Sequence, residues 1–292
     1  MSGPGGARLV AAQLPLAPLV QRSAAGSWIE GGDGRRYLDG TSGLVCVNVG
    51  HAHPHVVAAV RDQLSQSVFA SPGMVEPTDQ QAYAERLAAV VGRPTDGVLL
   101  GCTGTAANEM AVAIARSVQR ARGHEGRHKI LTGSLSYHGN SALMLALSGH
   151  QRRRPHPDDA AGVAPSFASP YAGHHAVHST TGCREECADD VARAIDAAGV
   201  STVSAVLVEP VNGTTGGGYV PPSGYLRRLR EICTARDVLL IHDEVLTGLG
   251  RTGLPLGADA TAGAQADITV LSKGLGAGYT PISAVLVAPG LL

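Results

Sequence analysis

Cysteine is scarce in this sequence. Cys46, Cys102, Cys183, Cys187 and Cys233 are scattered over 292 residues. An odd, thin set of this kind argues against a disulfide framework and fits a reducing compartment. An excess of charge is also lacking, with 23 basic residues against 24 acidic ones and a net charge of -1. That balance offers no electrostatic footprint for nucleic acid or for an anionic membrane. No apolar run approaches the roughly 18 residues a membrane span needs. The stretch from Leu9 to Val20 is broken by Gln13, Pro15 and Pro18 and follows a single positive charge, Arg8, so it does not read as a secretion signal. There is no internal repeat, and the 38 glycines follow no G-X-Y period, which sets aside collagen and low complexity. The expectation is a soluble cytoplasmic protein with neither nucleic-acid nor membrane partners.

Apolar residues make up 44% of the chain, enough for a large core. Ser27–Glu30, a Gly-Gly-Asp-Gly turn and Arg36–Asp39 carry a hairpin signal. Beyond it, short apolar runs predict strands at 97–101, 129–132, 175–178, 203–209, 238–243, 267–272 and 282–288. Amphipathic stretches at 106–121, 185–198 and 223–236 alternate with them. This alternation predicts an α/β fold with a seven-stranded, mostly parallel sheet flanked by helices on both faces, 282–288 being the antiparallel strand. Residues 149–171, with four prolines and Arg152–Arg154, read as a solvated loop.

Functional residues of open parallel sheets collect past the carboxyl ends of the strands. Three segments fit. Leu99–Glu109 runs from a strand through Gly101, Thr103, Gly104 and Thr105 into a helix. The free N–H groups of such a helix start can bind a phosphate, and the same residues also suit an ordinary N-cap. Val238–Val245 ends a buried strand with two adjacent carboxylates, Asp243 and Glu244. Burial demands a partner for each, so one is expected to meet a cation or a metal, with a helix cap or salt bridge as the plainer alternative. Asp267–Tyr279 places Lys273 at the end of an apolar, β-branched run inside a glycine-rich turn. A lysine there can act as a nucleophile. The run Gly248–Gly253 matches G-x-G-x-x-G, but it lies past the strand and leads into Leu254-Pro255 with no helix, so a dinucleotide site is excluded. His174, His175, His178, Cys183 and Cys187 cluster in the sequence, yet their spacings fit no structural zinc pattern, and no metal site is assigned.

These segments together resemble the class III aminotransferases, enzymes dependent on pyridoxal 5'-phosphate (PLP) with a type I fold. The resemblance runs from about Leu38 to Val287. It is carried by Tyr37–Gly40 with Asn48–His51, Gly104-Thr105, Tyr137–Asn140, Glu209–Val211, Asp243–Val245 with Thr247-Gly248 and Gly250-Arg251, and Ser272–Gly276. The resemblance implies catalytic roles for Lys273, as Schiff-base former and proton carrier, and for Asp243, as partner of the pyridine nitrogen. It implies a cofactor-binding set of Gly104, Thr105, Tyr137, His138, Glu209, Asp243, Val245 and Lys273. Gly104 and Thr105 would hold the phosphate, Tyr137 and Val245 would flank the ring, and Glu209 would buttress the site. It further implies that 1–45 is an N-terminal segment belonging with a small domain, that 46–292 is the PLP-binding large domain, and that the protein is a homodimer.

Two departures stand out. Ala106 occupies a place that is usually acidic, which removes a supporting hydrogen bond. The family also continues well beyond the lysine into a small carboxy-terminal domain, whereas this sequence stops 19 residues after Lys273. A fragment, or a protein that has lost that domain, is therefore expected. Thr214 stands where the ornithine- and aminobutyrate-type branches carry a second glutamate. With Pro221–Leu226, it resembles the ω-amino acid–pyruvate branch. The implied activity is transfer of an amino group from an ω-amino acid or amine to a keto acid such as pyruvate. The alternatives are an aminomutase or decarboxylase of the same family, and a truncated PLP-binding homologue without turnover.

Overall fold

The computed structural model describes residues 19–70, 74–75, 78–149, 166–167, 184–261 and 264–291. Near the start, β1 (Gln21–Ala25), β2 (Trp28–Gly31) and β3 (Arg36–Leu38) form an antiparallel sheet in that order. The β2–β3 turn is held by Asp33, which accepts hydrogen bonds from the Arg35 amide at 3.1 Å and the Tyr37 hydroxyl at 2.6 Å. A backbone bridge between Gly26 and His51 ties this small sheet to the following segment.

The large sheet holds β4 (Gly97–Gly101), β5 (Lys129–Gly133), β6 (Ser166–Phe167), β7 (Val203–Val208), β8 (Leu239–Asp243), β9 (Ile268–Leu271) and β10 (Ser283–Val287). Their spatial order is β4-β10-β9-β8-β7-β5-β6. β10 pairs antiparallel with both β4 and β9, while the β9-β8, β8-β7, β7-β5 and β5-β6 pairs are all parallel. The expected seven-stranded sheet with one antiparallel strand is therefore present. Six of the seven expected strands occupy their places. The expected strand 175–178 lies outside the described residues, and the edge beside β5 is taken by β6.

Every residue of β7, β8, β9 and β10 is buried, which explains why these strands read as unbroken apolar runs. Their side chains alternate between two helical layers. On one face, α3 (Gly104–Ala121) packs Ala107, Ala111 and Ala115 against Ile130, Leu207, Ile241 and Val285. Small residues along that stripe let the helix approach the sheet closely. On the other face, α5 (Asp189–Ala198) and α6 (Tyr225–Ala235) pack Val191, Ile195, Leu229 and Ile232 against Leu131, Val206 and Leu240. Each fully buried leucine or isoleucine contributes about 1.5–3 kcal/mol. The short α4 (Ala142–Leu147) adds Met144 and Leu147 to the first layer.

Besides the short α4, two longer helices escaped the sequence pattern: α1 (Pro54–Gln66) and α2 (Thr78–Val90). α1 buries no residue at all. In α2, Leu87 and Ala88 join Val91, Leu256, Leu271 and Leu286 in a third cluster, with Tyr83 packed against it. Among the described residues, no helix is long and apolar enough to cross a membrane.

Candidate active site

The parallel strands β5, β7, β8 and β9 all point their carboxyl ends at one cavity of about 180 Å³. All eight residues singled out from the sequence line it. Gly104 and Thr105 come from the start of α3, Tyr137 and His138 from the loop after β5, and Glu209 from the end of β7. Asp243 closes β8, Val245 follows it, and Lys273 follows β9. Asn108, Gly139, Thr214, Leu246 and Ser272 complete the wall.

The helix start is built by local chemistry. Thr103 is the N-cap, its hydroxyl accepting from the Ala106 amide at 3.1 Å. The first-turn amides and the positive end of the helix dipole then face the cavity mouth. Gly104 has no room for a side chain, because a Cβ there would lie 2.9 Å from Val245 Cγ1. Gly139 is held at φ 144°, and a Cβ on it would meet Thr105 Oγ1 at 2.7 Å. Glycine at 104 thus lets the helix start approach Val245, and glycine at 139 lets the loop after β5 close on Thr105. The Thr105 hydroxyl donates to Asn140 Oδ1 at 3.1 Å.

Asp243 is the floor of the site, and its side chain is only 4% exposed. Its Oδ2 accepts from Asn108 Nδ2 at 2.8 Å and lies 2.8 Å from His138 Nδ1. Its Oδ1 accepts from the Val245 amide at 3.1 Å. The Asn108 carboxamide also donates to the His138 carbonyl at 2.9 Å. One asparagine thereby joins α3, the loop after β5 and the end of β8. His138 reaches the site through Asp243, since its own side chain is fully buried.

Asp243 and Glu244 diverge, as adjacent residues at a strand end do. Glu244 turns away from the cavity. It accepts from the Gly257 and Ala258 amides, each at 2.8 Å, and from the Thr247 hydroxyl. Burial still pushes its carboxyl above the usual range, against these hydrogen bonds. Its partners are amides and a hydroxyl, so of the two carboxylates Glu244 provides the plainer alternative, a cap of the following 3₁₀ turn, and Asp243 is left as the one that could meet a cation.

Glu209 is a clasp. Its Oε2 accepts from the Tyr137 amide and from Asn212 Nδ2, both at 3.1 Å, and its Oε1 accepts from the Gly213 amide at 3.1 Å. Burial pushes its carboxyl up to about 7; the nearby Asp243 charge adds to the rise, while His138 and the amide donors oppose it. The clasp fixes Tyr137 and the turn that carries Thr214 to one another at the cavity wall.

Lys273 stands two residues beyond β9, at the start of a 3₁₀ turn, with φ 33°. Left-handed backbone is disfavoured for any residue with a Cβ and persists only where the surroundings over-determine it. The preceding residue supplies one anchor, as Ser272 Oγ donates to the Ile282 carbonyl at 2.9 Å.

Asn108, which lines the cavity and bonds Asp243, was not singled out from the sequence. Its signal was a polar side chain inside the small-residue stripe of α3, where only apolar contacts are expected. Gly248–Gly253 forms turns that run into no helix, in keeping with the exclusion of a dinucleotide site. His174, His175, His178 and Cys183 lie outside the described residues. Among the described residues no group of His, Cys, Asp and Glu is arranged to hold a metal ion.

A family model described as aminotransferase class-III matches residues 10–290. An omega-aminotransferase of Caulobacter vibrioides is 33% identical over 282 residues, covering 92% of this chain and 61% of that protein. An acetylornithine aminotransferase of Streptomyces clavuligerus is 37% identical over 270 residues, covering 89% of this chain and 57% of that protein. Among solved structures, an amine transaminase from an uncultivated Pseudomonas species, in a PLP-bound form, superposes with a TM-score of 0.86 at 32% identity. That likeness covers 99% of this chain and 65% of the other. The chain thus spans between 55% and 65% of the length of curated relatives that it matches.

Proposed function

The chain belongs to the class-III aminotransferase family, and from that premise we propose that it binds PLP in the cavity at the strand ends and transfers an amino group from an ω-amino acid or amine to a keto acid such as pyruvate. The observation that carries this reading is the convergence of Lys273, Asp243 and the Gly104-Thr105 helix start on one cavity. The residues present fit the cofactor's chemistry. A helix N-terminus with a threonine hydroxyl suits a phosphate dianion. A buried carboxylate suits a protonated ring nitrogen, and a lysine amine suits an aldehyde. Gly104 and Gly139 leave the backbone clear where side chains would fill the cradle.

When bound, the cofactor supplies the aldehyde that takes up the donor's amine and the ring that holds the electron pair left when the Cα–H bond breaks. The chain's own residues do the rest. Lys273 Nζ would take the proton from the substrate's α-carbon and return it to the former aldehyde carbon, on the far side of the nitrogen. Asp243 would hold a proton on the ring nitrogen, with its carboxylate kept in place by Asn108 and His138. Tyr137 and Val245 would flank the ring. Glu209 holds Tyr137 by its backbone. Thr214, a neutral residue on the wall, supports a small keto acid such as pyruvate as acceptor.

Residues 46–292 form the cofactor-binding body in this reading, with 1–45 as the segment of a small domain. The location of the whole seven-stranded sheet within 97–287, apart from the small sheet of 21–38, supports this division. A homodimer is supported by α1, which covers nothing, and by the chain after it, where Val68 and Phe69 are 81% and 79% exposed. The free thiols of Cys46, Cys102, Cys187 and Cys233 support the cytoplasm.

The test is the absorption spectrum of the protein loaded with PLP, beside Lys273→Ala. A protein-linked visible band is expected in the wild type, lost in the variant, and bleached by an amine donor until a keto acid restores it. Bleaching without restoration by any keto acid, or carbon dioxide release, would move the reaction to a mutase or decarboxylase. No lysine-linked band in folded wild type would leave a homologue without turnover.

A further inference from the structure

We infer that Tyr279 is a positioning residue for Lys273, acting through a two-sided hydrogen bond that knots the lysine turn to the Gly50–His53 segment. The inference rests on the proposed role of Lys273. The turn from Lys273 to Tyr279 is tightly wound and contains three residues with left-handed backbone: Lys273 at φ 33°, Ala277 at 48° and Gly278 at 80°. Two of these carry a Cβ, so the conformation needs external restraint. Its entry is fixed, because Lys273 directly follows Ser272 and β9, and β9 is paired on both sides. Its exit is fixed by Tyr279. The phenol donates to the Gly50 carbonyl at 2.6 Å and accepts from the His53 amide at 2.6 Å.

The other side of the knot is itself held. The His51 amide and carbonyl bond to Gly26 at 2.8 and 2.9 Å, and His51 Nε2 lies 2.8 Å from Asp39 Oδ2. Pro54 then starts α1. The two segments also fit closely. A Cβ on Gly274 would lie 2.6 Å from Asn48 Nδ2, and one on Gly278 would lie 3.1 Å from Val47 Cγ2. Tyr279 therefore joins a turn near the end of the sequence to one near its start, and the strained lysine backbone lies between two anchors. With the hydroxyl removed, the ring still packs, but the exit anchor is gone and Lys273 Nζ samples a wider arc.

The experiment is Tyr279→Phe, examined with and without PLP. In cofactor-free protein, hydrogen–deuterium exchange of peptides spanning 272–280 and 48–57 is expected to accelerate together, on the order of tenfold for the loss of these two bonds. In the loaded enzyme the pH midpoint of the lysine-linked visible band is expected to move. With it, kcat should fall about tenfold while KM for the amine stays within about twofold, as a displaced catalytic amine predicts. An unmoved band midpoint, or wild-type exchange in both peptides, overturns the inference. So does an activity loss accompanied by faster exchange throughout the large sheet, which would make Tyr279 a general stabiliser. If the wild type itself lacks a lysine-linked band, the proposed function fails and the inference falls with it. A wild-type band that Tyr279→Phe leaves unchanged refutes the inference alone.

Discussion

Substituting Glu209 by glutamine should change how stability depends on pH. The Glu209 carboxyl is buried between Tyr137, Asn212 and Gly213, and burial raises it from an ordinary 4.5 to about 7. Between those two values the folded protein holds a proton that the unfolded chain has already lost. Its contribution to stability is therefore fully present below pH 4.5 and is lost as the pH rises through 7. At about 1.4 kcal/mol per pH unit, the window amounts to about 3 kcal/mol. That is a large fraction of the about 5–15 kcal/mol that holds a typical protein folded. Glutamine cannot titrate, so Glu209→Gln should lack this loss, whatever constant offset its amide introduces among three N–H donors. The assay is urea unfolding of the cofactor-free protein and the variant at intervals from pH 4.5 to 8. The difference between the two profiles is the quantity to read, because other buried groups titrate too. Burial lowers His242 to about 3, which gives the opposite slope between 3 and 6.5, but it does so in both proteins and cancels. The wild type should lose about 3 kcal/mol relative to the variant across the window. Parallel profiles would refute the reasoning and show that the carboxyl stays ionised, held by its amide donors.

Asn108→Ala should leave the His138 carbonyl and Asp243 Oδ2 each short of a buried donor, costing about 1–3 kcal/mol in urea unfolding and weakening PLP binding further; unchanged stability and affinity would mean that Asp243 is positioned without it. For the homodimer, Val68→Asp with Phe69→Asp should convert a dimer to monomer in sedimentation velocity while shifting monomer stability by no more than about 0.5 kcal/mol, as for other exposed positions. A wild type that sediments as a monomer at every concentration removes that reading.

The large sheet was legible because its central strands are buried on both faces and so print continuous apolar runs. α3, α5 and α6 were legible because each has one apolar stripe. α1 and α2 were not, and the reason is physical. Val56, Val57, Val60 and Leu64 of α1 meet no core, so neither strand nor helix periodicity stands out against its polar neighbours. α2 contributes only Tyr83, Leu87 and Ala88 to a cluster. At the site, the residues with backbone or charge signatures were readable: Lys273 in its glycine turn, Asp243 at a strand end, Gly104-Thr105 at a helix start. What the sequence did not show was the wiring between them. That Asn108 meets Asp243, that Glu244 turns away to bind Gly257 and Ala258, and that Tyr279 meets Gly50 all depend on long-range placement, for which no local pattern exists.

The position of β10 sets an order of assembly. Among the described residues β4 is an edge strand whose sole neighbour is β10, with Gly101 opposite Ser283 and Gly97 opposite Val287. During synthesis β4 emerges early, yet it has no strand to join until residues 283–287 have been made. The helix start that follows it, with Gly104 and Thr105, is hinged to that same waiting strand. Lys273 lies on the connection between β9 and β10, the other arm of the closure. The edge of the sheet that leads into the Gly104-Thr105 turn therefore closes only once the β9–β10 connection has been made. Pairings of such long sequence separation form slowly. A supply of PLP during refolding should act by trapping the closed sheet rather than by guiding its early strands.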